Sequence, residues 1–413
     1  MDADIAVIGG GIIGTTATLA LQDAGMRTIT LEPGEVGAGT AEGSAGFLHD
    51  GEIFPLPNAR LLPELPKMLF DPLGPLVFRP AYLPRMAFWG ARFFGAMRKT
   101  VYETGIAALA DLNRTAVGAL VEMASSAGAA DLIVRSGGLK VCRDARSLEA
   151  LVAQVEVLGS YGIASEAVDA AALRALEPGL NPALAGGVYF PNSAHCSDLG
   201  ELGRRLGQRL QERGNIVHAS ARRLKPDSAG TWTVDYGTRD SVRVPRVLVA
   251  AGHASWTLLR PLGYRVPVAP ARGYHLMIRD AGVALQRAVI FQEAHFAATP
   301  MQAGLRLAGT MEFAPAGAPP DMRRAENLYE LARPYLPGLQ RTETVTWMGV
   351  RPVTPDDVPI IGRAARHPSL YYSFGHGHLG LTQSATSARS ISALIAGDKP
   401  PIDLEPFRLS RFR

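Results

Sequence analysis

Asp4-Ile5-Ala6-Val7-Ile8-Gly9-Gly10-Gly11-Ile12-Ile13-Gly14 opens the sequence, and its reading decides the fold. Residues 4–8 form a short apolar run of the kind that becomes a buried parallel strand. Gly9, Gly11 and Gly14 follow the pattern G-x-G-x-x-G. Residues 12–24 predict a helix stopped by Gly25, and residues 27–31 a second strand that ends on Glu32. Strand, glycine turn, helix, strand and acid each have a task in holding a dinucleotide. Gly9 allows the tight turn, Gly11 lets the backbone approach a pyrophosphate, and Gly14 lets helix and strand pack closely. The helix N-terminus at Ile12 and Ile13 offers free N–H groups and a positive dipole end to the phosphates. Glu32 can accept hydrogen bonds from ribose hydroxyls and would repel a 2′-phosphate, which disfavours NADP. The fingerprint leaves NAD and FAD both open.

Around this unit the chain has 413 residues, enough for two interleaved domains. Apolar residues make up 47% and charged residues 19%, as in a globular protein with a large interior. The net charge of +4 comes from scattered arginines rather than a basic run, so nucleic acid is not an expected partner. Two cysteines, Cys142 and Cys196, are too few for a disulfide framework and fit a reducing, cytoplasmic compartment. Asp2 and Asp4 stand where a signal peptide would carry basic residues, and no stretch of twenty uncharged apolar residues occurs.

Residues 34–46 hold Gly34, Gly37, Gly39, Gly43 and Gly46, a side-chain-poor stretch suited to lying against a flat ligand, with Thr40, Ser44, Ala45 and Gly46 as its expected contacts. Residues 54–84 are proline-rich and predict an irregular excursion. Helices are expected over 85–130, 147–160, 199–213 (capped near Ser197 or Asp198) and 323–336. Strands are expected over 139–141, 187–190, 244–251 and, in antiparallel array, across 266–311. A last strand, 370–374, runs into Gly375-His376-Gly377-His378-Leu379-Gly380 and a helix from Leu381 to Ala396, closed by Gly397. This is a second glycine loop opening a second helix. A reduced flavin carries negative charge along N1–C2=O, which a helix N-terminus stabilises, whereas a nicotinamide needs no such partner. The second loop therefore tips the cofactor to FAD. Its expected contacts include Gly377, His378, Leu379, Gly380, Leu381 and Thr382, with Ala251, Gly252 and Arg222 on the intervening segment. The fold class is α/β: a Rossmann-like FAD-binding domain (1–50, 196–262, 345–413) interleaved with an α+β substrate domain on a mostly antiparallel sheet (51–195, 263–344).

With these pieces placed, the chain resembles the D-amino-acid dehydrogenase and glycine oxidase branch of the FAD-dependent amino-acid oxidoreductases over nearly its whole length. The resemblance rests on residues 8–14, on Gly349-Val350-Arg351-Pro352-Val353-Thr354-Pro355-Asp356 followed by Pro359-Ile360-Ile361-Gly362, and on residues 375–380. Arg272-Gly273-Tyr274 also looks like a family strand that lines the active site. There are departures. The family loop after the ribose acid often reads Ser-x-x-Asn-Ala-Gly, and here Ser44 replaces the asparagine in Ala41-Glu42-Gly43-Ser44-Ala45-Gly46. Gly349 occupies the place where sarcosine-oxidase relatives attach flavin through a cysteine, which favours non-covalent FAD.

The resemblance implies that Arg351 grips a substrate carboxylate, as a planar, permanently charged guanidinium can with two parallel hydrogen bonds. Tyr274 is a candidate second clamp, and His378 and His49 are candidates near the substrate, to shape the pocket or take a proton. The nine histidines show no metal-ligand spacing. The implied reaction passes hydride from Cα of an amino or imino acid to flavin N5. D-Hydroxyproline, D-proline, other D-amino acids, glycine and sarcosine all stay open as substrates. So does a role as the flavin subunit of a hetero-oligomeric opine or amino-acid oxidase, and oligomerisation in general. The resembled dehydrogenases pass electrons to a quinone or the respiratory chain. Residues 84–99 combine Phe88, Trp89, Phe93, Phe94 and Met97 with Arg85, Arg92, Arg98 and Lys99. That composition suits a helix covering the substrate domain, or one lying at the inner face of the cytoplasmic membrane.

Overall fold

A computed structural model describes residues 3–59, 62 and 74–412. At its centre is a six-stranded sheet in the order Asn215–Val217, Thr28–Leu31, Ile5–Ile8, Val247–Val249, Leu370–Phe374, Ile360–Arg363. The first five strands run parallel, and only the edge strand Ile360–Arg363 is antiparallel. Both faces are covered, so the central strands Ile5–Ile8 and Val247–Val249 read as continuous apolar runs rather than alternating ones. Ile5 and Val7 face a core shared with helices, while Ala6 and Ile8 pack with Trp232, Val234 and Val244 of a three-stranded antiparallel sheet.

Helix Ile12–Asp23 starts at Gly11 and ends before Gly25, whose φ of 81° lies in the left-handed region glycine tolerates. Helix Gly380–Ala396 ends the same way at Gly397, and its Leu381, Ala385, Ala388, Ile391 and Ile395 are all buried. The two helices pack together. Thr16 Oγ1 donates to the Ser384 carbonyl at 3.2 Å, and Ser392 Oγ to the Ala20 carbonyl at 3.0 Å. Sequence numbers rise together across these contacts, so both helices run the same way and start at the same end.

The second large sheet has nine strands, eight in the order Thr344–Val353, Ala269–Ile278, Gly304–Phe313, Phe296–Met301, Ala288–Phe291, Gly138–Cys142, Gly186–Phe190, Glu166–Asp169. Leu76–Phe78 adds to Gly304–Phe313 as the ninth. Pairing is antiparallel except at two junctions, Ala288–Phe291 with Gly138–Cys142 and Leu76–Phe78 with Gly304–Phe313. The strand Thr344–Val353 is paired with Ala269–Ile278 from end to end, so an expected boundary at 345 cuts through this sheet.

Several element ends differ from expectation. The helical stretch expected over 85–130 is divided into Leu83–Ala96, Lys99–Asn113 and Ala116–Ser126, because Arg98 takes an extended conformation (ψ 136°) and Thr115 leaves the helical region. The strand expected over 244–251 is Val247–Val249, and the helix expected over 323–336 is Arg323–Ala332, ending ahead of Pro334. Helix Leu199–Gln211 is capped by Asp198, which accepts from Glu201 N. Of the proline-rich excursion, Pro63, Pro66 and Pro72 lie outside the described residues. Among the described residues no helix is long and apolar enough to cross a membrane.

Candidate active site

The three fingerprint glycines are needed for different reasons. A Cβ on Gly9 would lie 2.6 Å from the Ala250 carbonyl oxygen, and φ there is 105°. A Cβ on Gly14 would lie 1.8 Å from the Gly9 oxygen, so helix and turn touch there. Gly11 is different: φ is an ordinary −66°, and the nearest atom to an added Cβ is 3.7 Å away. The protein itself leaves that space open, as a phosphate-bearing ligand requires. Helices Ile12–Asp23 and Gly380–Ala396 both begin without a side-chain cap. Their first intrahelical bonds come from Thr15 and Gln383, so the N–H groups of Ile12, Ile13 and Gly14, and of Gly380, Leu381 and Thr382, have no partner within the helices. Two bare helix starts thus sit at the carboxyl ends of parallel strands separated only by Val247–Val249, which leads into Ala251 and Gly252. Glu32 accepts from Gly10 N at 2.7 Å and Gly34 N at 3.0 Å, which fixes its carboxylate beside the loop with acceptor capacity left over. This cradle fits an extended dinucleotide.

Of the glycines of 34–46, Gly37 and Gly43 serve protein packing, while an added Cβ at Gly34 or Gly39 would meet nothing nearer than 3.5 Å. A Cβ on Gly37 would meet the Gly203 oxygen at 1.9 Å, and one on Gly43 would meet the Trp347 ring at 2.1 Å. Trp347 in turn stacks on His275 at 5.3 Å, and His275 Nδ1 is 2.9 Å from the Gly43 oxygen. Thr40 Oγ1 donates to the Val350 carbonyl, and the half-buried Arg306 donates to the carbonyls of Glu42 and Ser44. Burial lowers the Arg306 guanidinium to about 10. Gly46, with φ 69°, is held by Cys196 N on its oxygen. The loop that would meet the flavin is therefore clasped from the nine-stranded sheet.

Beyond it lies a cavity of about 1230 Å3, lined among others by Ser44, Ala45, His49, Thr310, Arg351, His378 and Leu379. Arg351 projects from Thr344–Val353, opposite Ala271. Its guanidinium lies over Gly273, where a Cβ would sit 2.1 Å from Cζ. It donates to the Thr310 carbonyl at 2.9 Å and has no acidic partner among the described residues. Burial alone pulls it down to about 10. The Thr310 carbonyl is presented by a β-bulge: the register against Ala269–Ile278 shifts between Arg272 and Tyr274, and Thr310 takes φ 60°. Positive φ on a β-branched residue costs about 1–3 kcal/mol, a strain of the kind that clusters at functional sites.

His49 is buried, stacked on Phe47 at 4.7 Å and edge-on to Phe190 at 4.4 Å. Its backbone N–H donates to Thr382 Oγ1, and Nδ1 lies 3.0 Å from Ser193 Oγ, which donates to Asp50. Burial, reinforced by Lys140, lowers the ring to about 3, so His49 is neutral. His378 is exposed at the cavity, on a loop tied to Arg351's strand by Gly377 N donating to the Pro352 carbonyl. His376 points elsewhere, buried against Ser387.

Two expected site residues are not brought here. Tyr274 alternates with Gly273 along its strand and faces away from Arg351. It is buried, donates to Glu312 Oε2 at 2.5 Å and accepts from Asp321 N. Its neighbour Arg272 is spent in the same region on the carbonyls of Pro315, Ala318 and Pro319. Arg222 is exposed and donates to the Gly237 carbonyl, within the three-stranded sheet. Conversely, Glu52, Lys140, Arg306 and Thr310 were not anticipated. Lys140 had a signal, a charge in the middle of the apolar strand Gly138–Cys142.

The family model for FAD dependent oxidoreductases matches residues 4–394. The chain belongs to that family. It is 31% identical over 417 residues to a D-amino-acid oxidase of Bradyrhizobium diazoefficiens, covering 99% of this chain and 98% of the relative. It is 30% identical to a D-amino acid dehydrogenase of Methylobacterium sp., covering 99% of each. In fold it is similar to glycine oxidase from Geobacillus kaustophilus (TM-score 0.75, 19% identity, 99% and 98% coverage) and to L-proline dehydrogenase from P. horikoshii (TM-score 0.76, 15% identity, 100% and 98% coverage). The protein is thus an FAD-dependent oxidoreductase of the amino-acid oxidase and dehydrogenase group, with FAD as its cofactor.

Proposed function

We propose that this FAD-dependent oxidoreductase dehydrogenates a D-amino acid or a cyclic imino acid, such as D-proline or D-hydroxyproline. The observation that carries the reading is Arg351, a cation without an acidic partner among the described residues, facing the cavity beside the second glycine loop. The full-length likeness to a D-amino-acid oxidase and D-amino acid dehydrogenases supports the choice of substrate class. Bound FAD would supply the hydride acceptor. Arg351 holds the substrate carboxylate with two parallel N–H donors, while the Thr310 carbonyl fixes its guanidinium. His49, neutral and wedged between two rings, closes the cavity without adding charge. His378 takes the amine proton at a ring nitrogen and returns it to water. FAD is held non-covalently: Gly349 offers no nucleophile, and Cys142 and Cys196 are buried away from the cavity. The same reading divides the chain as expected, with one boundary moved so that 354–413, rather than 345–413, joins 1–50 and 196–262 around the cofactor. The remainder forms the substrate part.

The electron acceptor is a quinone or respiratory carrier, met at helix Leu83–Ala96 on the inner membrane face. That helix buries Met86, Trp89 and Phe93 but leaves Leu83, Phe88 and Phe94 exposed beside Arg85 and Arg98. The experiment is a panel of D- and L-amino acids, glycine and sarcosine offered to the purified yellow protein with an artificial electron dye. Turnover confined to glycine and sarcosine, or no turnover at all, overturns the reading.

A further inference from the structure

Two charges in the cavity wall have no part in the reaction described above. Lys140 is 6% exposed on strand Gly138–Cys142, and Glu52 stands on the segment after His49. Both line the cavity, and the Lys140 ammonium is paired with Glu52 Oε1. The pair is held in place. The Glu52 carbonyl accepts from Asn113 Nδ2 at 2.8 Å, Lys140 Nζ lies 5.8 Å from the centre of the Phe190 ring, and His49 Nε2 is 3.8 Å from Glu52 Oε1. Removing two charges from water is costly, and apolar side chains would hold the wall at least as firmly. Neither charge is saturated. Among the described residues, Lys140 Nζ has no acceptor besides Glu52, and Glu52 Oε2 has no donor. His49 Nε2 also lacks a hydrogen-bond partner.

A substrate side chain reaching this wall meets an acceptor and a donor together. An acidic group gains Lys140 but is repelled by Glu52, and a basic one gains Glu52 but is repelled by Lys140. An apolar group strips water from both and returns nothing. A neutral group that donates and accepts at once satisfies both. We propose that the Lys140–Glu52 pair selects substrates whose side chain or ring carries a hydroxyl or a carboxamide, accepting from Lys140 Nζ and donating to Glu52 Oε2. The proposal rests on the reading of Arg351 as the carboxylate clamp, which turns the remainder of the substrate into the cavity.

The test compares near-isosteric pairs in both hands: serine with 2-aminobutyrate, threonine with valine, 4-hydroxyproline with proline, glutamine with glutamate. In the wild type the neutral hydrogen-bonding member should lead in kcat/KM by about tenfold or more, since a site built around polar groups rejects the analogue that leaves them unpaired. The double variant Lys140→Met/Glu52→Met should bring the ratios to near one while keeping its flavin. Should that variant not fold, Glu52→Gln alone must raise glutamate relative to glutamine. Isothermal titration of 3-hydroxybutyrate against butyrate, neither of them oxidisable at an amine, reads the same preference in binding. Wild-type ratios near one, or ratios unmoved by the substitutions, overturn the proposal. An enzyme that oxidises no amino acid overturns the reading beneath it instead.

Discussion

Arg351 and Gly273 share one space: the guanidinium occupies the position where any side chain at 273 would begin, with Cζ 2.1 Å from an ideal Cβ. Gly273 has no positive φ, so nothing about its backbone demands glycine, and the guanidinium is what does. Gly273→Ala should fold and keep FAD but displace Arg351. A displacement on the order of 1 Å at a positioning group can cost about 100-fold in rate. We expect KM to rise by roughly 10–100-fold on that basis. Steady-state kinetics beside flavin absorbance will decide; an unchanged KM removes Arg351 from the role of clamp.

Arg351→Ala should lose a charge-assisted bidentate contact worth about 2–5 kcal/mol when desolvated, expressed mainly in KM. Arg351→Lys should recover little, because an ammonium lacks the planar fork that meets both carboxylate oxygens and the Thr310 carbonyl. Full rescue by lysine would argue that only the charge matters.

Gly11 and Gly14 should separate cofactor binding from folding. Gly11→Ala meets nothing nearer than 3.7 Å, so the protein should purify with little flavin but melt as the wild-type apoprotein does. Gly14→Ala places a Cβ 1.8 Å from the Gly9 oxygen and should lower the melting temperature whether or not FAD is added. In the wild type, acid precipitation should leave the yellow colour in the supernatant. Colour in the pellet contradicts non-covalent binding.

Acid sensitivity should trace in part to His376, fully buried and lowered to about 3 by that burial. Its folded value lies below the 6.5 of the free side chain, so the unfolded chain binds the extra proton between those limits. The stability associated with neutral His376 is complete above pH 6.5 and is lost as pH falls toward 3. His376→Gln, which can still bond Ser387, should flatten the fall in urea midpoint between pH 6.5 and 4. Parallel profiles for the two proteins would mean that His376 does not contribute.

Contact with a membrane should depend on the outward residues of helix Leu83–Ala96. Leu83 is 50% and Phe94 55% exposed, whereas Trp89 is buried and donates to the Val353 carbonyl. Leu83→Ser/Phe94→Ser should reduce sedimentation with anionic vesicles at low salt and leave dye-linked turnover intact. Wild-type protein that stays wholly in the supernatant, or that forms hydrogen peroxide in air as fast as it reduces dye, speaks against a membrane-bound acceptor.

The cofactor cradle was legible in the sequence because its parts are neighbours in the chain. Gly9, Gly11 and Gly14 act within one turn, and residues 375–380 repeat the device in another local unit. On the cavity side, Arg351, His49 and His378 were legible as cavity residues, and Tyr274 was not. That Gly273 rather than Tyr274 shares Arg351's face is set by the pairing of Ala269–Ile278 with Thr344–Val353, strands far apart in the chain, and no local pattern reports it. Within 34–46, Gly37 and Gly43 are required by Gly203 and Trp347, which come from distant segments that spacing cannot identify. Lys140 stood in plain view, yet a single charge in a strand acquires meaning only when Glu52 is placed beside it.

The clasp on residues 40–44 has a consequence for exchanging parts between relatives. Thr40, Glu42, Gly43 and Ser44 precede the first long excursion of the chain, yet their partners are Val350, Arg306, His275 and Trp347. A chimera that imports a foreign substrate sheet at the chain boundaries would keep the native loop and lose the Arg306, His275 and Trp347 side chains that hold it. The transferable module is therefore discontinuous: the sheet together with the short glycine loop it holds. Recombination that respects this should give loaded, active hybrids, and recombination at residue 50 should give colourless ones.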